Sequence, residues 1–312
     1  MRYWTKAAAS FLSVFLVCFL VFEAAYQWRS DTDVNETLGK SFIWKISSQT
    51  NCIYLLGSVH IGSKDLYPLD SSIEAAFKEA KYLVVEININ DVDPNSDSYI
   101  GMVIYYATYP KGEGLKENLS ADLYEQLKVK LEKLNVKITT VNNFRPWLLA
   151  LIMGMDTDLM SYDVEYGIDV HFINEAERID KSILQLEGVI DQLAALSDVP
   201  DEVMVKMILS DVVYYSPEQT LEFLFDAWET GNAAKMEGVL FLGSLFEPEL
   251  APYNEILVDQ RNSKWIDKIE NYLADDETYF VVVGAGHLVG ENGLLNLLKN
   301  KGYTLEQLYV KD

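Results

Sequence analysis

Hydrophobic positions along the chain fall into two kinds of run. Residues 52–56, 82–87, 183–186 and 279–283 are apolar with little alternation, the pattern of strands covered on both faces in a parallel sheet. Between them, apolar residues recur at helical spacing over 71–80, 120–134, 146–160, 166–179, 200–210, 217–230 and 252–273. The helix over 71–80 joins the first two strands as a βαβ unit. Pro146 suits a first helical turn, and Gly188 suits a strand exit. No repeat of 20–50 residues interrupts this order. The pattern predicts an α/β fold: a central, largely parallel sheet flanked by helices, carrying a helix-rich middle insertion, with 41–312 as a single domain.

The amino end reads differently. Arg2 and Lys6 precede an uncharged apolar run over 7–22, and Asp31, Asp33 and Glu36 follow it with only Arg29 opposing. The positive-inside bias puts the start of the chain in the cytoplasm and the rest outside. The run is longer than a usual signal-peptide core and short for a full span. Two readings of 1–28 therefore stand, an uncleaved transmembrane anchor or a signal peptide, with 29–40 as a polar linker. Either predicts an exported domain, at the cell membrane if the segment stays and secreted if it is removed.

Charge narrows the partners. Lys plus Arg number 25 against 48 Asp plus Glu, a formal charge of −23. That balance excludes nucleic acid and a polybasic docking face. Two cysteines exclude a disulfide scaffold and a cysteine-rich metal site. A peptide or small molecule remains as the substrate class, with the membrane reached through the amino-terminal segment.

The chemistry concentrates at strand ends. The first strand exits as Gly57-Ser58-Val59-His60 and the last as Gly284-Ala285-Gly286-His287, each a Gly followed by two residues and a histidine. In open parallel sheets ligands bind outside the carboxyl ends of the strands, so His60 and His287 are expected to meet there. Glu86 ends the second strand and Glu187 the third. Two imidazoles and two carboxylates suit a divalent ion of the Mn, Co or Zn kind; the plainer alternative is a set of hydrogen-bonded loop residues. On the wheel of 166–179, Asp169 falls within the apolar face and needs a partner, a histidine or a metal-bound water, whereas His171 falls on the wet face. Arg261 shares a helical stripe with Leu257 and Trp265. Spacing alone favours a snorkelling surface role for it over a place at the sheet edge. Cys52 starts its strand, at the wrong end for this edge, and reads as core. The segment around Tyr99, Tyr105, Tyr106 and Tyr109 reads as core or lid packing.

These residues resemble the TraB/GumN family, which includes Tiki-type proteases and pheromone-shutdown proteins. The resemblance covers nearly all of 41–312. It rests on GSVH at 57–60, LVVEIN at 83–88, GIDVHF at 167–172, LEG at 186–188 with Gln192 beyond, DQRN at 259–262, and the block over 282–303. It implies an α/β fold related to the erythromycin-esterase and haem-binding ChaN-like groups, and a metal-dependent hydrolase, with peptidase activity in some animal members. By position it implies His60, Glu86 and His287 as metal ligands, Glu86 and Arg261 as catalytic groups, and Asp169, Glu187 and Gln192 as supporting side chains. The expected function is an exported, membrane-tethered metallohydrolase of the peptidase type. The alternative is a protein that binds a peptide, haem or small ligand without turnover.

Overall fold

The computed structural model describes residues 40–155, 162–209 and 217–309. The expected anchor over 1–28, and residues 29–39 of the expected linker, lie outside the described residues. Among those described, no helix is long and apolar enough to cross a membrane.

Six strands form one sheet: β1 (Lys40–Ser47), β2 (Cys52–Ser58), β3 (Tyr82–Val85), β4 (Ile183–Gln185), β5 (Tyr279–Gly284) and β6 (Thr304–Tyr309), in the spatial order β4-β3-β5-β2-β1-β6. The ladders β4/β3, β3/β5 and β5/β2 are parallel. Those of β2/β1 and β1/β6 are antiparallel. The sheet is therefore mixed, with a parallel half that holds every strand the apolar runs mark. β5 inserts between β2 and β3, so the first and last parallel strands become neighbours although most of the chain separates them. Every residue of β5 is buried, which explains why its sequence shows no alternation.

The longer helices among the described residues are α1 (Ser71–Glu79), α2 (Asp97–Ala107), α3 (Ala121–Lys133), α4 (Pro146–Met155), α5 (Ile168–Arg178), α6 (Val189–Asp198), α7 (Asp201–Leu209), α8 (Pro217–Glu229), α9 (Ala233–Phe246), α10 (Gln260–Ala274) and α11 (Leu294–Asn300). The expected helix over 252–273 is a helical turn at Ala251–Asn254, a π-turn at Glu255–Asp259, then α10. The expected helix over 146–160 is described to Met155; its remainder lies outside the described residues.

Two apolar cores result. One surrounds the sheet and includes Phe42, Leu55, Leu83, Phe172, Trp265 and Val281. The other lies within the helical middle, where Leu115, Leu127, Trp147, Leu196 and Met204 pack with Leu257 of the π-turn. Most helices of this second layer lie between β3 and β4 or between β4 and β5 in the chain. At the carboxyl edge of the parallel strands α6 brings Gln192 to Glu86, and the π-turn brings the Leu257 carbonyl to Arg261.

Candidate functional site

The four strand ends come together as their order dictates. Beyond β3 and β4 the ladder continues: Leu186 N–H donates to Val85 O at 2.9 Å and Glu187 N–H to Glu86 O at 3.0 Å. Two carboxylates thus emerge side by side, an arrangement that needs a cation between them. Arg261, on the first turn of α10 just past the π-turn, supplies it. Its Nη2 donates to Glu86 Oε2 at 2.5 Å and Glu187 Oε1 at 2.6 Å. Nε donates to both oxygens of Glu187 at 3.1 and 3.2 Å. Nη1 reaches Leu257 O at 2.9 Å and His287 Nε2 at 3.1 Å. All five guanidinium N–H groups are thereby engaged, in a residue 5% exposed. Far from snorkelling, Arg261 is a buried tie between three strand ends. Trp265 completes it, donating to Glu187 Oε2 at 3.1 Å and lying with its ring 4.7 Å from the guanidinium carbon.

His287, fully buried, is held in one tautomer. Asn262 uses its amide nitrogen to donate to the carbonyls of His287 and Asn292, so its oxygen, 2.8 Å from His287 Nδ1, accepts. His287 is therefore protonated at Nδ1, and its Nε2 lone pair accepts from Arg261. Burial, then the neighbouring Arg261 and His60, push His287 down to about 3 despite the pull of Glu86. Burial pushes Glu86 upward, but Arg261, the two histidines and the Gly284 N–H outweigh it and hold the carboxyl at about 2. Glu187 goes the other way, raised because burial exceeds what Arg261 returns.

His60 stands apart from this bonded cluster. Gly167 lets α5 start against the backbone there: a Cβ on it would lie 2.5 Å from the His60 carbonyl oxygen. Two residues on, Asp169 Oδ1 comes within 3.2 Å of His60 Nδ1. Both atoms are buried and, among the described residues, make no hydrogen bond, as is true of Ser58 Oγ. Burial pushes the His60 imidazole down, yet Asp169 and Glu86 more than reverse it and its pKa rises. On the far side of the ring, a Cβ on Gly284 would meet His60 Nε2 at 2.9 Å and Glu86 Oε1 at 3.4 Å, so glycine there leaves the ring room. A pocket opens beside these groups, lined by His60, Val85, Glu86, Ile87, Ile89, Asp169 and Gln192.

Every site residue read from the sequence lies at or beside this edge: His60, Glu86, Asp169, Glu187, Gln192, Arg261 and His287. Gln192 reaches Glu86 Oε2 at 3.5 Å, the limit of a hydrogen bond. His171 is half-buried rather than wet. Its ring lies tilted against Tyr67 with centroids 4.6 Å apart, and its Nε2 lies 3.5 Å from Glu74 Oε1. Sequence reading missed Asn262 and Trp265 as partners of the cluster, and Ile87 and Ile89 as pocket walls. The signal for Asn262 was its place beside Arg261 in the 259–262 motif.

A divalent ion at His60, Glu86 and His287 does not fit the side chains as they stand. Among the described residues, no three His, Cys, Asp or Glu side chains gather at ion-holding distance. Both nitrogens of His287 and both oxygens of Glu86 are in hydrogen bonds, and the guanidinium lies against both residues.

The fold and edge define a class: α/β proteins whose parallel strands deliver histidines and carboxylates to one enclosed edge. Within it, the match over residues 42–307 shows that the chain belongs to the TraB/PrgY/gumN family. It is 26% identical to the uncharacterized protein YbaP of Escherichia coli (strain K12) over 249 residues, 79% of this chain and 87% of that protein. It is also similar, at 22% identity over 89% of its length, to a metalloprotease TIKI homolog of Amphimedon queenslandica and to metalloprotease TIKI2 of Xenopus tropicalis. The matches span 63% and 61% of those two proteins. No solved structure matches the chain.

Proposed function

We propose that this protein is a hydrolase of peptide-type bonds whose reacting centre is the pocket beside His60. The observation that carries this reading is a division of labour within the edge. Arg261, Glu86, Glu187 and His287 satisfy one another, whereas His60 and Asp169 meet at the pocket with polar atoms to spare. Glu86, held at about 2, is a weak base. Asp169 and Glu86 favour the charged form of His60, so its imidazolium is stabilised once it takes a proton. In this reading His60 Nε2 takes a proton from an attacking water and returns it to the leaving amine. Asp169 stabilises the imidazolium between those steps. Gln192, whose amide reaches Glu86 and also acts on Glu187, holds the carboxylates in place beside the pocket.

A metal-assisted version is suggested only by the TIKI relatives' names; among the described residues, the side chains as they stand do not gather to hold an ion. The domain is proposed to be exported and tethered through residues 1–28, supported by the charges that flank the apolar run.

The test is cleavage of peptide pools by the full chain, read by mass spectrometry, after chelation and again with Mn, Co or Zn restored. His60→Ala and Asp169→Asn are expected to lose at least about a hundredfold in rate with folding retained. Cleavage unchanged in both variants overturns the assignment of the centre. Tight binding of haem or peptide with no cleavage under any metal identifies a binding protein instead.

A further inference from the structure

We infer that the site edge of this protein faces the bilayer, and that the apolar outer face of α2 with Ile190 seats in the interfacial region of a zwitterionic membrane. The inference rests on the proposed tether and adds its orientation.

The first argument is where the chain enters the fold. β1 runs antiparallel to β2, with Ile43 opposite Leu56. Lys40, three residues earlier, therefore stands at the carboxyl end of β2, one strand over from the strand that delivers His60, about 4.8 Å away. The tether reaches the domain at the site edge, not at the opposite edge, where the 48–51 turn joins β1 to β2. Residues 29–39 number eleven and span at most about 40 Å when fully extended. A domain of this size has a radius of gyration of about 18 Å, hence a width of about 45 Å. The tether therefore holds the edge that carries Lys40 within about 40 Å of the bilayer, less than one domain width.

The second argument is what that edge exposes. On α2, Ile100, Ile104 and Tyr105 are 43%, 55% and 76% exposed, and they share a face with Gly101, around which a Cβ would find open space. Ile190, 54% exposed, follows Glu187 by three residues and opens α6, the helix on which α2 packs. Among the described residues, four exposed large hydrophobic side chains thus lie on the packed pair α2 and α6. Scattered single exposures are ordinary, whereas an isoleucine–isoleucine–tyrosine face on one helix suits a membrane interface. Asp97 borders this face, and the chain's net charge of −23 opposes an anionic surface, so the bilayer that fits is zwitterionic. A site held this way works on bonds close to a membrane, such as the stalk of an anchored protein.

The full chain, with Cys18 and Cys52 replaced by serine, is reconstituted into phosphatidylcholine vesicles and labelled with a fluorophore at Tyr105→Cys or at Thr50→Cys in the opposite-edge turn. Vesicle flotation is measured first, then quenching by spin-labelled lipid. Flotation with at least threefold stronger quenching at position 105 than at 50 supports the orientation. Flotation with equal quenching overturns the orientation while leaving the tether. Absence of flotation overturns the tether, and the orientation with it.

Discussion

His287 and Asn262 are joined from both sides: the imidazole Nδ1–H donates to the Asn262 side-chain oxygen at 2.8 Å, and the Asn262 amide donates back to the His287 carbonyl at 3.1 Å. The pairing welds the turn after β5 to α10 and aims the His287 Nε2 lone pair at Arg261. Asn262→Ala strands the Nδ1–H and the His287 carbonyl in a buried place, at a cost of about 2–4 kcal/mol. Urea unfolding should show a lower midpoint at unchanged slope. Nitrogen NMR of the imidazole should show the Nδ1–H tautomer giving way to a mixture. A single retained tautomer would contradict this account of Asn262.

Gly284→Ala tests the room left for His60. The added methyl would lie 2.9 Å from His60 Nε2, a side-chain end that can shift, rather than against backbone. The expected result is a stability loss of about 1–3 kcal/mol with a larger fractional loss of peptide cleavage. Gly57→Ala is the contrast, because its methyl would strike the Phe42 ring within the core and should impair folding itself.

Arg261 is expected to matter as a tie. Arg261→Met leaves Glu86 and Glu187 adjacent, buried and without a cation, which costs about 3–5 kcal/mol. Adding Glu187→Gln removes one of the stranded charges and should recover part of that loss. Arg261→Lys keeps the charge with three donors in place of five, and should fall between wild type and Arg261→Met. Equal unfolding midpoints for the wild type and Arg261→Met would show that the ion pairs add nothing to stability.

The parallel half of the sheet was legible because its strands are buried on both faces and read as plain apolar runs. β6 was not, since its pattern of half-buried and exposed residues is that of a short edge strand, and β1 begins within the polar stretch taken as linker. Convergence of His60, Glu86, Glu187 and His287 followed from their shared position at strand ends. Asp169 was legible as a carboxylate on an apolar face. Spacing alone misplaced Arg261, which the resemblance put at the site, because the stripe 257–261–265 marks a helix face without saying what that face meets; here it meets two carboxylates. The π-turn at Glu255–Asp259 left no mark in the spacing. The exposed face of α2 looked like packing because aromatic content alone does not separate Tyr99, which is buried, from Tyr105, which is not.

Acid should destabilise the protein in two stages. His287 sits at about 3 when folded against 6.5 ordinarily, so the unfolded chain takes up a proton that the native state refuses. Its stabilising contribution is complete above pH 6.5 and is lost between 6.5 and 3, at up to about 1.4 kcal/mol per pH unit. Glu86, about 2 against 4.5, adds a second loss between 4.5 and 2. Glu187 opposes it, because its raised value lets the native state accept a proton earlier than the unfolded chain. His60, also raised, contributes stability that is present below pH 6.5 and fades as the pH climbs through its folded value. Unfolding midpoints in urea should therefore fall from pH 6.5 to 5, before ordinary carboxylates titrate. His287→Asn should flatten that stretch even though the variant begins from a lower midpoint. An unchanged slope in the variant would mean that the buried imidazole is not the group responsible.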